Sequence, residues 1–211
     1  MPKNEQRISI SVIRRLPRYY RFLYDLKENG IARISSRELS EKMGLTASQI
    51  RQDLNCFGGF GQQGCGYPVE QLYNEIGKIM GMDHHTPAIL IGAGRLGRTL
   101  ATQMKFESKG VELIGIFDNS ATIIGNQVGE LTVRSTDELE TFCTVHKPQM
   151  AIMCIPKEAA PAVVDKLVDY GVRGFWNFSH YDITFAHPDA VVENVHLGDS
   201  LMTLSYQLNQ G

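Results

Sequence analysis

No stretch of this 211-residue chain approaches the ~18 consecutive apolar residues of a membrane span, and its opening residues, MPKNEQR, hold no apolar core of a secretory signal. Both absences point to the cytoplasm. Cysteine is scarce: Cys56, Cys65, Cys143 and Cys154 form no C-x-x-C pair and no zinc-like spacing. They read as reduced, mostly buried thiols, with a redox role open for Cys56 and Cys65, which flank a glycine-rich stretch. The six histidines are scattered, and the adjacent His84 and His85 sit in a connector, so no metal site is expected.

A net charge of −2 hides an asymmetry. Residues 1–80 hold 12 Lys or Arg against 8 Asp or Glu, and residues 81–211 hold 9 against 15. The signs describe a basic module attached to an acidic body.

The clearest motif runs from Thr86 to Asp118. An apolar strand leads into G-x-G-x-x-G at Gly92, Gly94 and Gly97, followed by a helix pattern, a second strand and Asp118, 21 positions beyond Gly97. In a dinucleotide-binding βαβ unit the first glycine makes the tight turn and the second lets backbone approach the pyrophosphate. The third lets helix and strand pack closely, while the helix N-terminus faces the phosphates. A carboxylate at Asp118 accepts hydrogen bonds from the ribose and repels a 2′-phosphate, which favours NAD over NADP.

The residues before this unit do not read as part of a dehydrogenase. Apolar residues from Val12 to Leu26 recur at helical spacing, with Pro17 starting the main helix and Gly30 ending it. Ser35-Ser-Arg-Glu38 and Thr46-Ala-Ser-Gln49 are two capping boxes in succession, separated at Gly44-Leu45. Two short helices at this spacing form a helix-turn-helix, whose second member would present Ala47, Ser48, Gln49, Arg51 and Gln52 to bases. Five glycines between Phe57 and Gly66 exclude a helix and suggest a tight hairpin, a wing. A bundle of three helices that binds no nucleic acid fits the same pattern.

A helix over 70–79 and a connector over 81–86 follow. The βα alternation then continues, with a helix from Thr136, a strand over 150–155, a helix over 158–170, and strands over 174–178 and 191–195. This describes an α/β protein with a doubly wound parallel sheet over residues 87–196. The tail from Gly198 reads as a capped helix with a stripe at Leu197, Leu201, Leu204 and Leu208, packed either on its own domain or on a second subunit.

With both motifs identified, the chain resembles the Rex family of redox-sensing transcriptional repressors from end to end. The matching stretches are Arg15-Leu-Pro-Arg-Tyr-Tyr-Arg-Phe-Leu, Ile34-Ser-Ser-Arg-Glu-Leu, Gln49-Ile-Arg-Gln-Asp-Leu, residues 57–67 and 92–100, Ile155-Pro156, Trp176-Asn-Phe-Ser179 and the tail from Val192. The resemblance implies a winged-helix domain (1–80), a linker (81–86), a Rossmann domain (87–196) and a terminal helix (197–211) exchanged between the subunits of a homodimer. It implies palindromic operator DNA as partner, NADH and NAD⁺ as ligands, and release of DNA by NADH. Arg15, Ser35, Ser36, the helix residues 47–49, 51 and 52, and Gly61, Gln62 and Gln63 in the wing would face DNA. Gly92, Ala93, Gly94, Arg95, Leu96, Gly97, Asp118, Ile155, Pro156, Asn177 and Phe178 would face the dinucleotide.

Three departures stand out. Gln52 replaces the family's usual Lys in the recognition helix, Gln62-Gln63 stands where the wing usually carries Lys or Arg, and His196 stands where Asp is usual. Each missing cation removes a possible phosphate contact, which predicts weaker or less salt-dependent DNA binding. His196 alters an inter-subunit contact or adds pH sensitivity.

Two rival classes remain on residues alone. An oxidoreductase needs an acid or base near the nicotinamide edge, and His180 is the candidate. A CoA- or nucleotide-binding regulatory domain without DNA is the other. For discrimination of NADH from NAD⁺, Phe178, Tyr181 and Phe185 with Ile155-Pro156 would form an apolar pocket favouring the neutral ring, and Asp182 nearby would oppose it.

Overall fold

The computed structural model describes residues 8–57 and 66–210. The chain divides after Asp83 into two compact units.

In the first unit, α1 (Ile10–Ile13) is followed by α2 (Leu16–Glu28), with Pro17 in the first turn of α2, where its missing N–H removes no helical bond. Gly30 takes φ +70° just past α2, in the left-handed region that closes a helix. β1 (Arg33–Ile34) leads to α3 (Ser36–Met43), which opens on a reciprocal capping box. The Ser35 N–H donates to Glu38 Oε2 at 2.8 Å, and the Glu38 N–H donates to Ser35 Oγ at 3.1 Å. α4 (Ala47–Asn55) starts on Thr46, whose Oγ1 accepts from the Gln49 N–H at 3.1 Å. Only this half of the second expected box forms.

β2 (Tyr67–Pro68) pairs antiparallel with β1, placing Tyr67 opposite Ile34. α5 (Val69–Ile79) returns against α2, and Tyr20 stacks on Tyr73 at 4.3 Å. Leu16, Tyr19, Leu23, Leu39, Met43, Ile50, Leu54, Leu72 and Ile76 form the core, one inward stripe per helix. The expected wing, with Gly61, Gln62 and Gln63, lies outside the described residues, between α4 and β2.

The second unit runs β3 (Thr86–Ile91), α6 (Arg95–Gln103), β4 (Val111–Asp118), β5 (Gln127–Val128), β6 (Leu131–Ser135), α7 (Leu139–His146), β7 (Met150–Met153), α8 (Ala160–Asp169), β8 (Gly174–Asn177), α9 (Ile183–Ala186), β9 (Val191–Asn194) and α10 (Leu197–Asn209). The sheet order is β5-β6-β4-β3-β7-β8-β9, parallel throughout except for β5. The six parallel strands have the order of a doubly wound dinucleotide fold, and the direction of winding reverses between β3 and β7. Ile89 and Ile91 bury on one face of the central strand and Leu90 on the other, so β3 reads as an unbroken apolar run. Each such side chain contributes roughly 1.5–3 kcal/mol by leaving water.

Two local expectations change. Neither β5, which is two residues long, nor β6, where Leu131 and Val133 alternate with the exposed Thr132 and Arg134, was among the expected strands. The terminal helix begins at Leu197, and His196 at its N-cap gives no side-chain capping bond, so the helix is not capped as expected. Asp199 in the first turn complements the helix dipole instead. No residue of α10 is buried.

Candidate functional site

The reversal point between β3 and β7 opens a crevice at the carboxyl ends of both strands, where open α/β sheets bind ligands. Cys154 N–H donates to Ile91 O at 2.8 Å and ties the two strand ends together. Gly92 then turns the chain at φ +97°, and a Cβ there would lie 2.5 Å from Cys154 O. No other residue fits that turn without moving the backbone. Gly97 seats α6 on the turn so closely that a Cβ would lie 2.0 Å from Gly92 O. Gly94 is different: it is the N-cap of α6, and a Cβ would meet nothing within 4 Å. The space above Gly94 borders the first-turn N–H groups of Arg95, Leu96 and Gly97, which an α-helix leaves without internal partners. Such a set of N–H groups can hold a phosphate.

Asp118 ends β4 and is 9% exposed. Its Oδ2 accepts the Ala93 N–H at 2.7 Å, and its Oδ1 accepts the Ser120 N–H at 2.8 Å. Each carboxylate oxygen keeps a second lone pair, enough for the two hydroxyls of a ribose. Arg98, which the sequence did not single out, donates from Nε to Ala93 O at 2.8 Å and braces the same turn. Arg95 and Leu96 are exposed at the start of α6.

On the far side of the crevice, Ile155 is half-buried, with Cγ2 against the Gly92 turn, and Pro156 is exposed. Phe178 packs edge-on to Trp176 at 4.8 Å. Asn177 requires a correction. Its Nδ2 donates to Tyr181 O and to Asn194 Oδ1, both at 2.8 Å, and its Oδ1 accepts from Ser179 N–H and Oγ–H. Both amide protons and both lone pairs are used, and the residue is fully buried. Asn177 shapes the loop after β8 and has no capacity left for a ligand.

The expected aromatic pocket is not assembled either. Tyr181 packs with the cluster containing Ile89 and Phe175, Phe178 packs with the cluster containing Leu90 and Ile152, and Phe185 is 88% exposed. Alternation along the strands puts those clusters on opposite faces of the sheet. Asp182 accepts the Phe185 N–H at 3.1 Å and caps α9, so its carboxylate serves the helix. His180 sits at φ +60° with its ring stacked on His196, centroids 4.7 Å apart.

In the first unit, α4 turns Ile50, Asp53 and Leu54 inward. Ser48, Arg51 and Gln52 are exposed, and Ala47 and Gln49 are half-buried at its opening turn. Arg51 Nη1 donates to Ser36 Oγ at 3.1 Å, so two of the expected DNA-facing residues meet each other across the helix-turn-helix. Ser35 Oγ is engaged in the α3 cap. Arg15 does not stand free on this face. Its guanidinium forms a two-bond pair with the buried carboxylate of Asp53, at 2.7 Å for both bonds. The sequence signal for Asp53 was its place between Ile50 and Leu54 on the inner stripe, where a carboxylate demands partners.

Among the described residues, no group of three His, Cys, Asp or Glu side chains could hold a metal ion, and no helix is long and apolar enough to cross a membrane.

Residues 7–55 match the family model described as "Putative DNA-binding protein N-terminus", and residues 83–181 match the model described as "CoA binding domain". The chain is 51% identical over 204 residues to the redox-sensing transcriptional repressor Rex of Thermoanaerobacter pseudethanolicus, covering 97% of this chain and 91% of that one. It is 48% identical over 210 residues to the Rex repressor of Clostridium botulinum strain Alaska E43, covering 100% and 99%. The crystal structure of RSP in complex with beta-NADH matches with a TM-score of 0.89 at 48% identity, over 97% of this chain and 96% of that one. RSP in complex with beta-NAD⁺ and operator DNA matches with a TM-score of 0.89 at 50% identity, over 96% and 93%. A helix-turn-helix unit, a glycine cradle with an acid at the end of its second strand, and relatives of this identity over the whole length lead to one conclusion: the chain belongs to the Rex family of redox-sensing transcriptional repressors.

Proposed function

We propose that this chain is a non-enzymatic, cytoplasmic repressor that binds palindromic operator DNA as a homodimer and lets go when NADH occupies its second unit. The observation that carries this reading is the open space over Gly94 beside a buried Asp118, in a chain half identical to a protein solved with NADH and with NAD⁺ and operator DNA.

In this reading residues 1–80 hold DNA, 87–196 hold the dinucleotide and 197–211 join the subunits. The N–H groups that open α6, with Ala93, Arg95 and Leu96 around them, hold the pyrophosphate, and Asp118 accepts from the adenosine ribose. Ile155 and Pro156, which follow β7 beside the Gly92 turn, border the nicotinamide end. Apolar residues there favour the neutral reduced ring, because a pyridinium charge loses its hydration without gaining a partner. When bound, the dinucleotide supplies a redox-dependent charge. Ser36, Ala47, Ser48, Gln49, Arg51 and Gln52 face the operator, together with Ser35; Gly61, Gln62 and Gln63, expected to join them, lie outside the described residues.

The test is fluorescence anisotropy on a palindromic AT-rich operator, with NADH and NAD⁺ titrated separately. NADH should lower operator affinity at least about tenfold, about 1.4 kcal/mol of coupling, and NAD⁺ should not. Unchanged operator binding at saturating NADH refutes the reading.

A further inference from the structure

Asp53 lies on the inner stripe of the helix-turn-helix's second helix and is 2% exposed. A carboxylate withdrawn from water survives only with strong partners, and this one has three bonds. Arg15 donates from Nε to Oδ2 and from Nη2 to Oδ1, both at 2.7 Å, and Tyr19 donates its hydroxyl to Oδ2 at 2.9 Å. Burial, then Asp53 itself, holds the Tyr19 phenol above its ordinary range, so it remains a donor at any working pH. Both partners belong to α2, Arg15 at its N-cap and Tyr19 one turn further on. A planar guanidinium making two parallel bonds fixes the carboxylate's orientation as well as its position. Successive residues of an α-helix point about 100° apart, so fixing Asp53 also fixes where Arg51 and Gln52 point.

We infer that Arg15 is a positioning residue: acting through Asp53, with Tyr19, it sets the rotation of α4 about its own axis and hence operator specificity, and it does not contact DNA. This rests on the reading that α4 faces the operator. Wild-type binding in the same experiment tests that reading separately: a wild-type protein indifferent to the operator sinks the reading, whatever Arg15 does.

Full-length wild type, Arg15→Lys, Arg15→Gln, Asp53→Asn and the Arg15→Gln/Asp53→Asn double variant are titrated against operator and scrambled duplexes over a salt series. For Arg15→Gln, operator affinity should fall about tenfold, with scrambled-duplex affinity and the salt slope as in wild type. The double variant should be no weaker than Arg15→Gln, Arg15→Lys should fall between it and wild type, and NADH binding should not change. If Asp53→Asn does not fold, Tyr19→Phe takes its place and should narrow the operator-to-scrambled ratio by a smaller factor. Equal loss on both duplexes with the salt slope reduced by about one would make Arg15 a phosphate ligand and overturn the inference. Equal loss with an unchanged slope, which marks general damage to the unit, overturns it too, as does no loss at all.

Discussion

The carboxylate of Asp118 accepts the backbone N–H of Ala93 at 2.7 Å, so the acid that ends β4 also holds the glycine turn that follows β3. The residue proposed to hold the ribose thus also braces the turn proposed to hold the phosphates, and the two roles separate in the variants that remove them.

Asp118→Arg removes both acceptors and should weaken NADH strongly while relieving the exclusion of NADPH. Its gain for NADPH is limited, because Ala93 and Ser120 lose their partner, a loss of about 1–3 kcal/mol for the buried Ala93 N–H and less for the half-buried Ser120 N–H. Asp118→Asn keeps one oxygen and should lose less NADH affinity. Isothermal titration of both cofactors decides it: an Asp118→Arg protein with the wild-type preference for NADH means Asp118 is not the ribose ligand.

Gly94 and Gly97 should part company on substitution by alanine. At Gly97 the new Cβ would lie 2.0 Å from Gly92 O, so helix and turn must separate. Overpacking of this kind costs about 1–3 kcal/mol or more, visible as a lower Tm. Gly94→Ala meets open space, so thermal stability should hold while NADH affinity drops, the methyl group standing where backbone and pyrophosphate would meet. If Gly94→Ala binds NADH as wild type does, the cradle lies elsewhere.

Much of this architecture was readable in advance, and the failures have a common cause. The glycine spacing, the acid at Asp118 and the Ser35 capping box are local rules, each enforced by backbone geometry within a few residues, and the fold obeys them. Phe185 and Asp182 looked like pocket residues because they follow a strand at the right edge, and Asn177, which ends that strand, because of the resemblance. Their contacts depend on how one loop folds back on itself, which residue type does not reveal. Arg15, which the resemblance sets against DNA, is a related case. Its partner Asp53 lies 38 positions away, and only the packing of α2 on α4 brings them together. The strand β5, two residues long, is too short to register, whereas the alternation of Leu131 and Val133 with Thr132 and Arg134 in β6 is a legible signal.

The buried Cys143 and half-buried Cys154 thiols should be chemically quiet. Burial pushes Cys143 up to about 11 and Cys154 up to about 12. The native state therefore holds these protons more tightly than the unfolded chain. Their contribution to stability is complete below about 8.5 and is lost as pH rises through the native values. At pH 8, peptide mapping after iodoacetamide treatment should find the exposed Cys56 modified before Cys143 and Cys154, with both reacting once urea unfolds the chain. Rapid native labelling of Cys154 would contradict this.

Arg51→Ala should cost specific operator binding about 1–3 kcal/mol if Arg51 reads a base, leaving NADH binding unaffected. Ser36→Ala, which removes the hydroxyl that accepts from Arg51 Nη1, should give a smaller loss concentrated on the same base position. Competition among operators varied one base pair at a time would show it. Uniform weakening across sequences with a salt slope lower by about one would assign these residues to phosphate.

The terminal helix α10 exposes Leu197, Leu201, Met202, Leu204, Tyr206 and Leu208, each more than half accessible. Such a face needs an apolar partner, and the proposed homodimer supplies one. Winged-helix dimers read half-sites about 34–36 Å apart, or a multiple, so affinity requires two recognition helices held at that separation. Deleting residues 201–211, or replacing Leu201 and Leu208 with Glu, should give a monomer by light scattering that still binds NADH but loses high-affinity operator binding, although its helix-turn-helix is unaltered. In the intact protein, operator and NADH must weaken each other by the same factor. Moving the population from 1:99 to 99:1 takes about 5.5 kcal/mol, shared across two sites. Measuring NADH affinity with and without saturating operator checks that reciprocity directly. A truncated monomer that binds operator tightly and releases it with NADH would show that coupling lies within one subunit, and the dimer mechanism would fall.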